Sequence, residues 1–127
     1  MKERHLRPQG SHRSALGSSL WLLQALTGVL LVFLLAFHLI ANHFVVPGGL
    51  RTYQDVIAYL SHPVIFTWEI TFLIVVTVHA ALGVRAIILD LGPSPRAMRV
   101  VDGVLTVLAL VAISYGIWLS LLIRRLG

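Results

Sequence analysis

Two histidines lie inside stretches that are otherwise hydrocarbon: His38 in LLVFLLAFHLIANHF and His79 in FLIVVTVHAALGV. An imidazole deep in a membrane is costly unless something binds it, so an ionisable residue there points to function. Two chemistries would satisfy such a ring. One is axial ligation of heme iron, which needs imidazoles held in a dry, apolar slot. The other is a hydrogen bond to a carbonyl or side chain of a neighbouring helix. Spacing alone serves both equally. Copper or zinc would gather its ligands into one cluster, and these two stand apart.

Their depths differ. At ~1.5 Å per helical residue, His38 lies roughly 27 Å past Leu20, and His79 lies roughly 15 Å before Leu89. A separation of about 12 Å suits two hemes at two heights, each taking its second ligand elsewhere, better than one heme held by both. Thr27, Leu31, Leu34 and Leu35 share the His38 face, with Asn42 one turn beyond. Gly83 and Ala86 follow His79 and leave room for a flat ligand or a close helix.

Composition sets the frame for these residues. The chain has 127 residues, is 57% hydrophobic and 12% charged, and has mean hydropathy +0.89, which excludes an ordinary soluble domain. There is no cysteine, which excludes disulfides, thiolate metal sites and covalent heme attachment through this chain. A net charge of +5 with the basic residues at span ends and tails fits a membrane surface and not nucleic acid.

The elements that must position the histidines are three apolar runs, roughly 19–46, 64–89 and 100–123, each long enough to cross ~30 Å of hydrocarbon as a helix. The fold class expected is therefore an all-α membrane protein with three transmembrane helices. Residues 1–18 form a basic tail with Pro8, Gly10 and Gly17, and residues 19–127 form the membrane domain. No A-x-A-like site follows the first apolar run, which disfavours a signal peptide. Pro47-Gly48-Gly49 ends the first span. Tyr53–Leu60 is expected as a short interfacial helix, with Tyr53 and Tyr59 at the lipid boundary. Pro63 starts the second span, and Gly92-Pro93-Ser94-Pro95 separates it from the third. Lys2, Arg4, Arg7, Arg13, Arg85, Arg96 and Arg99 fall on one side and Arg51, Arg124 and Arg125 on the other. The positive-inside rule then places the N-terminus in the cytoplasm and the C-terminus outside.

The remaining polar residues are weaker candidates. His5 and His12 fall in the tail and His62 in a loop. His43 lies five positions from His38, about 140° around the helix, so the two cannot face one partner. Glu69, near the outer end of the second span, is expected as a water-exposed interfacial carboxylate, with proton handling for an outer quinone as the alternative. Asp102 is expected to favour the N-terminal dipole of the third span. Arg85 either pairs with a heme propionate or snorkels to phosphates.

At these residues the chain resembles the membrane-anchor subunits of succinate dehydrogenase and fumarate reductase. Gln24-x-x-Thr27-Gly28 followed by His38 is similar to that family's Q-R-x-T-G element with a later heme histidine. His79-Ala80-Ala81-Leu82-Gly83-Val84-Arg85, then Asp90 and Gly92-Pro93-Ser94-Pro95-Arg96, is similar to its H-x-x-x-G-x-R and the following cytoplasmic turn. The resemblance covers roughly residues 20–120. It implies that His38 is the outer (distal) and His79 the inner (proximal) axial ligand of heme b, one or two hemes being shared with a second anchor subunit. It also implies docking of a flavoprotein and an iron–sulfur subunit on the cytoplasmic face, with quinone as substrate. Two departures stand out. Ala25 replaces the arginine after the motif glutamine, and Leu91 replaces a tyrosine that contacts quinone in some members. The inner quinone site is then expected mostly on partner subunits, bordered here by Ser18, Ser19 and Asp90.

The expectation is a multi-pass subunit of the inner (cytoplasmic) membrane that catalyses nothing alone. It would carry electrons from an iron–sulfur subunit to quinone. Bis-imidazole ligation would leave no open position on iron. The alternatives are the anchor of another quinone-linked cytochrome b complex, such as a hydrogenase or formate dehydrogenase, and a non-redox scaffold or transporter subunit.

Overall fold

A computed structural model of the chain describes residues 11–44, 48–49 and 52–126, with the backbone alone for 11–16. Four helices follow one another: α1 (Ser11–Phe44), α2 (Tyr53–Ser61), α3 (Pro63–Asp90) and α4 (Pro95–Arg124). No strand occurs among the described residues. Three segments, Gly17–Phe44, Pro63–Asp90 and Pro95–Arg124, are long and apolar enough to cross a membrane.

Local chemistry sets the boundaries. Thr52 caps α2 in a reciprocal box: its hydroxyl accepts from the Asp55 amide at 3.2 Å, and the Asp55 carboxylate accepts from the Thr52 amide at 2.8 Å. Pro63 and Pro95 occupy the first turns of α3 and α4, where a missing N–H costs nothing. Ser94 caps α4 by accepting from the Ala97 amide at 3.2 Å. Gly92, with φ of +67°, makes the left-handed residue that turns the chain out of α3. The third spanning helix thus begins five residues before the apolar run does, because its cap and proline precede it. α1 likewise starts at Ser11, within the segment expected as tail, since the breakers Pro8 and Gly10 lie upstream of it. Residues 45–47, where the first span was expected to end, lie outside the described residues.

Thr27, Thr67, Thr71, Thr77, Thr106 and Ser120 each return their hydroxyl to the carbonyl four residues earlier, at 2.7–2.9 Å. That is how these residues satisfy themselves in lipid, where no water is available.

The helices do not form a closed bundle. α3 packs against each of the other three, α2 also lies close to α4, and among the described residues the backbones of α1 and α4 stay apart. A small core gathers Ala41, Tyr59, Leu60 and Ile65, with Phe37, Val56, Phe66 and Ile123 around it. It sits where α2 folds back over the end of the long helices. Elsewhere many large apolar side chains face outward: Phe33, Ile87 and Tyr115 are all 60% exposed or more. In water this would be an aggregating surface; against acyl chains or partner helices it is an ordinary exterior.

At Gly116 of α4 a side chain of α3 approaches closely. A Cβ there would lie 2.5 Å from Leu73 Cδ2 and 3.3 Å from Cδ1. Gly116→Ala makes the Leu73 methyls give way, a cost offset in part by the higher helix propensity of alanine, so its net effect on stability is expected within about 1 kcal/mol. The substitution should be more favourable by about 0.5–3 kcal/mol in a Leu73→Ala background than in the wild type, in a double-mutant cycle of thermal melts in detergent. The same effect in both backgrounds would disprove the close contact.

Candidate functional site

The seam between α1 and α3 carries the polar side chains of the apolar segments at two levels. At the first, His79 of α3 faces Gln24, Thr27 and Gly28 of α1. Thr27 Oγ1 lies 2.8 Å from the Leu23 carbonyl and 3.1 Å from that of Gln24. Its single proton is committed to the backbone, so it accepts from His79 Nδ1 at 3.1 Å. That assigns the proton to Nδ1 and leaves a lone pair on Nε2. The Gln24 Nε2 amide lies 3.4 Å from that lone pair. The Gln24 Oε1 atom is buried and has no hydrogen-bond partner among the described residues. Gly28 admits the ring, since a Cβ there would lie 3.1 Å from His79 Cε1; a Cβ at Gly83 would likewise lie 3.2 Å from Gln24 Nε2. The motif residues of the two helices thus meet directly.

At the second level His38 of α1 faces Glu69 and Phe72 of α3. His38 Nδ1 donates to the Glu69 carboxylate, 2.7 Å from Oε2 and 2.9 Å from Oε1. Its Nε2 accepts from the Asn42 amide at 3.0 Å, and Asn42 also donates to the His38 carbonyl at 2.8 Å. The imidazole stacks on Phe72 with ring centroids 4.9 Å apart. Tyr59 of α2 donates to Glu69 Oε1 at 2.5 Å. Burial first, then the hydrogen bond to Glu69 and its charge, push the Tyr59 phenol above its ordinary pKa, so it remains a donor. A cavity of about 390 Å³ opens beside the cluster, bounded by Val76 of α3 and Gly116 and Ser120 of α4. Glu69 and His79 are ten residues apart on α3, roughly 15 Å along the axis. The two histidines stand at two heights, as their positions in the sequence require.

Several expectations change here. Tyr59 is not at the lipid boundary: it is 4% exposed, because its ring completes the core under α2 while its hydroxyl reaches Glu69. Tyr53 does lie outside. Glu69 is not a solvated interfacial carboxylate; its side chain is 15% exposed and is held by His38 and Tyr59. Arg85 neither stands free nor snorkels away. Its Nε donates to Asp102 Oδ1 at 2.7 Å, with Nη2 3.4 Å from Oδ2. Asp102 lies two turns inside α4, too deep to serve the helix dipole, and is Arg85's counter-ion. The pair borders an apolar cavity of about 350 Å³ between α3 and α4, closed on one side by Leu20.

The other sequence candidates lie apart from these clusters. Continuing the antiparallel register of α1 and α3 sets Ser18 and Ser19 level with Ile88 and Leu89, beside Asp90, all on the exterior. His43 is exposed, edge-on to Phe44, and His62 is the exposed residue between α2 and α3. His5 lies outside the described residues, as does the side chain of His12. Among the described residues no group of three or more His, Cys, Asp or Glu could hold a bare metal ion.

The partners Gln24, Thr27, Asn42 and Tyr59 were not assigned to their histidines by sequence reasoning. A signal existed for two of them. Gln24 and Thr27–Gly28 share one helix face, as do His79 and Gly83, and antiparallel helices bring such faces together. For Tyr59 there was none, since its orientation depends on how α2 folds back.

Over residues 2–123 the chain matches the family described as succinate dehydrogenase/fumarate reductase transmembrane subunit. It is 32% identical over 109 residues to the succinate dehydrogenase hydrophobic membrane anchor subunit of Archaeoglobus fulgidus, covering 86% of this chain and 92% of that one. It is 31% identical over 103 residues to the subunit of the same name from Thermoplasma acidophilum, covering 81% and 84%. A three-span helical protein with part-buried polar pairs along one helix seam, matched along nearly its whole length, belongs to the succinate dehydrogenase/fumarate reductase transmembrane subunit family.

Proposed function

We propose that this membrane anchor subunit holds b-type heme and passes electrons from an iron–sulfur partner to quinone. His79 serves the inner level and His38 the outer. One assignment, made from the hydrogen-bond geometry, carries the reading. At both histidines Nδ1–H is bound by a protein acceptor, and Nε2 keeps a lone pair faced by a single carboxamide, Gln24 or Asn42. This is the tautomer and hydrogen-bond pattern that metal-ligating imidazoles need, with the non-ligating nitrogen anchored by a protein acceptor. A carboxamide is a weak neutral partner on a rotatable side chain, so swinging it aside frees the lone pair. Heme bound there would supply one-electron chemistry between ferric and ferrous iron.

Among the described residues one imidazole stands at each level, so the second ligand of each heme comes from a second anchor subunit. That subunit would cover part of the exposed apolar exterior. The arginine and lysine distribution orients the Arg85 end towards the cytoplasm, where the flavoprotein and iron–sulfur subunits would dock. The membrane in this reading is the inner (cytoplasmic) membrane of the cell. Ser18, Ser19 and Asp90 border the quinone site at that end. Arg85, already neutralised by Asp102, reaches a propionate only by sharing its guanidinium, whose Nη atoms are less committed than Nε.

A second reading draws on the same hydrogen bonds. Each imidazole is fully partnered within this chain, which suits a purely structural role in helix packing. Colour separates the two. Reduced-minus-oxidised spectra of the purified complex should show b-type absorbance, with about half lost in His38→Ala and the rest lost in His79→Ala. A colourless wild-type complex, or full absorbance in both variants, rules out the ligation.

Thr27→Val removes the Nδ1 acceptor at nearly constant volume. It should weaken heme retention at the inner level by about 10–100-fold, as second-shell losses typically do. The check is heme occupancy during titration with a competing apo-hemoprotein, the outer heme serving as internal control.

A further inference from the structure

The outer histidine is not merely partnered; it is held in a chain of three side chains from three helices. Tyr59 of α2 donates to Glu69 of α3, and Glu69 accepts from His38 of α1 through both carboxylate oxygens. Phe72 fixes the ring plane from the side. The Tyr59 ring is locked among Ala41, Leu60 and Ile65, so its hydroxyl cannot easily leave the carboxylate. The inner histidine differs: its Nδ1 partner is the neutral hydroxyl of Thr27.

We infer that Glu69 is a positioning residue for His38 and that Tyr59 sets its strength, together making the outer heme electronically different from the inner one. The inference rests on the heme reading above and deepens it. A carboxylate accepting Nδ1–H fixes the tautomer and the ring orientation, so Nε2 is the nitrogen presented to iron. It also draws the Nδ1 proton toward itself, makes the imidazole a stronger electron donor and favours the ferric state. The Tyr59 hydroxyl opposes this. It takes up charge on Glu69 Oε1 and weakens the carboxylate as an acceptor for His38. The interfacial helix thereby reaches the ligand sphere of a group it does not touch.

The two substitutions carry opposite signs, which a merely structural role would not produce. In the intact four-subunit complex, potentiometric titration followed optically should give each heme's midpoint potential, with His38→Ala identifying the outer one. Glu69→Gln keeps an acceptor oxygen but removes the charge, and should shift the outer midpoint to a more positive value. Tyr59→Phe keeps the ring in the core but frees the carboxylate, and should shift it to a more negative value. The inner midpoint should stay fixed in both.

If His38→Ala removes a heme but neither substitution moves its potential, or both move it in the same direction, the positioning role is overturned while ligation stands. If His38→Ala removes no heme, ligation by His38 falls, and the inference with it. Should Glu69→Gln fail to assemble, Tyr59→Phe alone decides: a negative shift supports the role, and no shift or a positive one ends it.

Discussion

Without water in the hydrocarbon layer, a polar group that enters it is stabilised by a partner inside the protein, and of the seam's side chains only Gln24 keeps a buried atom, Oε1, without one among the described residues. In this chain that constraint selects the α1–α3 seam. Six side chains with polar atoms — Gln24, Thr27, His38, Asn42, Glu69 and His79 — meet there at two heights, and their pairing fixes the antiparallel register of the two helices. Apolar surface could not do this. Lipid tails are as apolar as leucine, so there is little hydrophobic gain in bringing two spans together, and polar pairs and close-packed small residues decide where they lock. Gly28 and Gly83 let the seam close around His79, and Gly116 does the same for α4 against α3.

The two levels of the seam are built alike and tuned differently. Each presents an imidazole whose Nδ1 proton is claimed and whose Nε2 lone pair meets only an amide. The acceptor is a hydroxyl at one level and a carboxylate at the other. A carboxylate is the stronger acceptor, and burial away from water strengthens it further. It also needs a compensating donor, since a buried charge with one partner is expensive. Tyr59 meets that need, and so α2, outside the spanning segments, becomes part of the seam's chemistry. The Arg85–Asp102 pair follows the same logic between α3 and α4, where each charge makes the other tolerable near the apolar cavity.

Membership of the succinate dehydrogenase/fumarate reductase transmembrane family gives these features a setting. The open arrangement, with α1 and α4 apart and apolar side chains facing outward, suits a subunit that completes its structure against other chains and lipid.

Much of this was legible in the residues. Three long apolar runs broken by Pro-Gly clusters dictate three helices, because a backbone in lipid must satisfy itself. The depths of His38 and His79 follow from helical rise alone, as does the separation of His43 from His38. What the sequence could not determine was who meets whom. Asp102 belongs to Arg85 and not to a helix dipole; Glu69 belongs to His38 and Tyr59 and not to water; Tyr59 is in the core and Tyr53 is outside. Helix formation is settled by local chemistry and the solvent. Pairing depends on the register, crossing and rotation of helices far apart in the chain, and only the packed structure sets those.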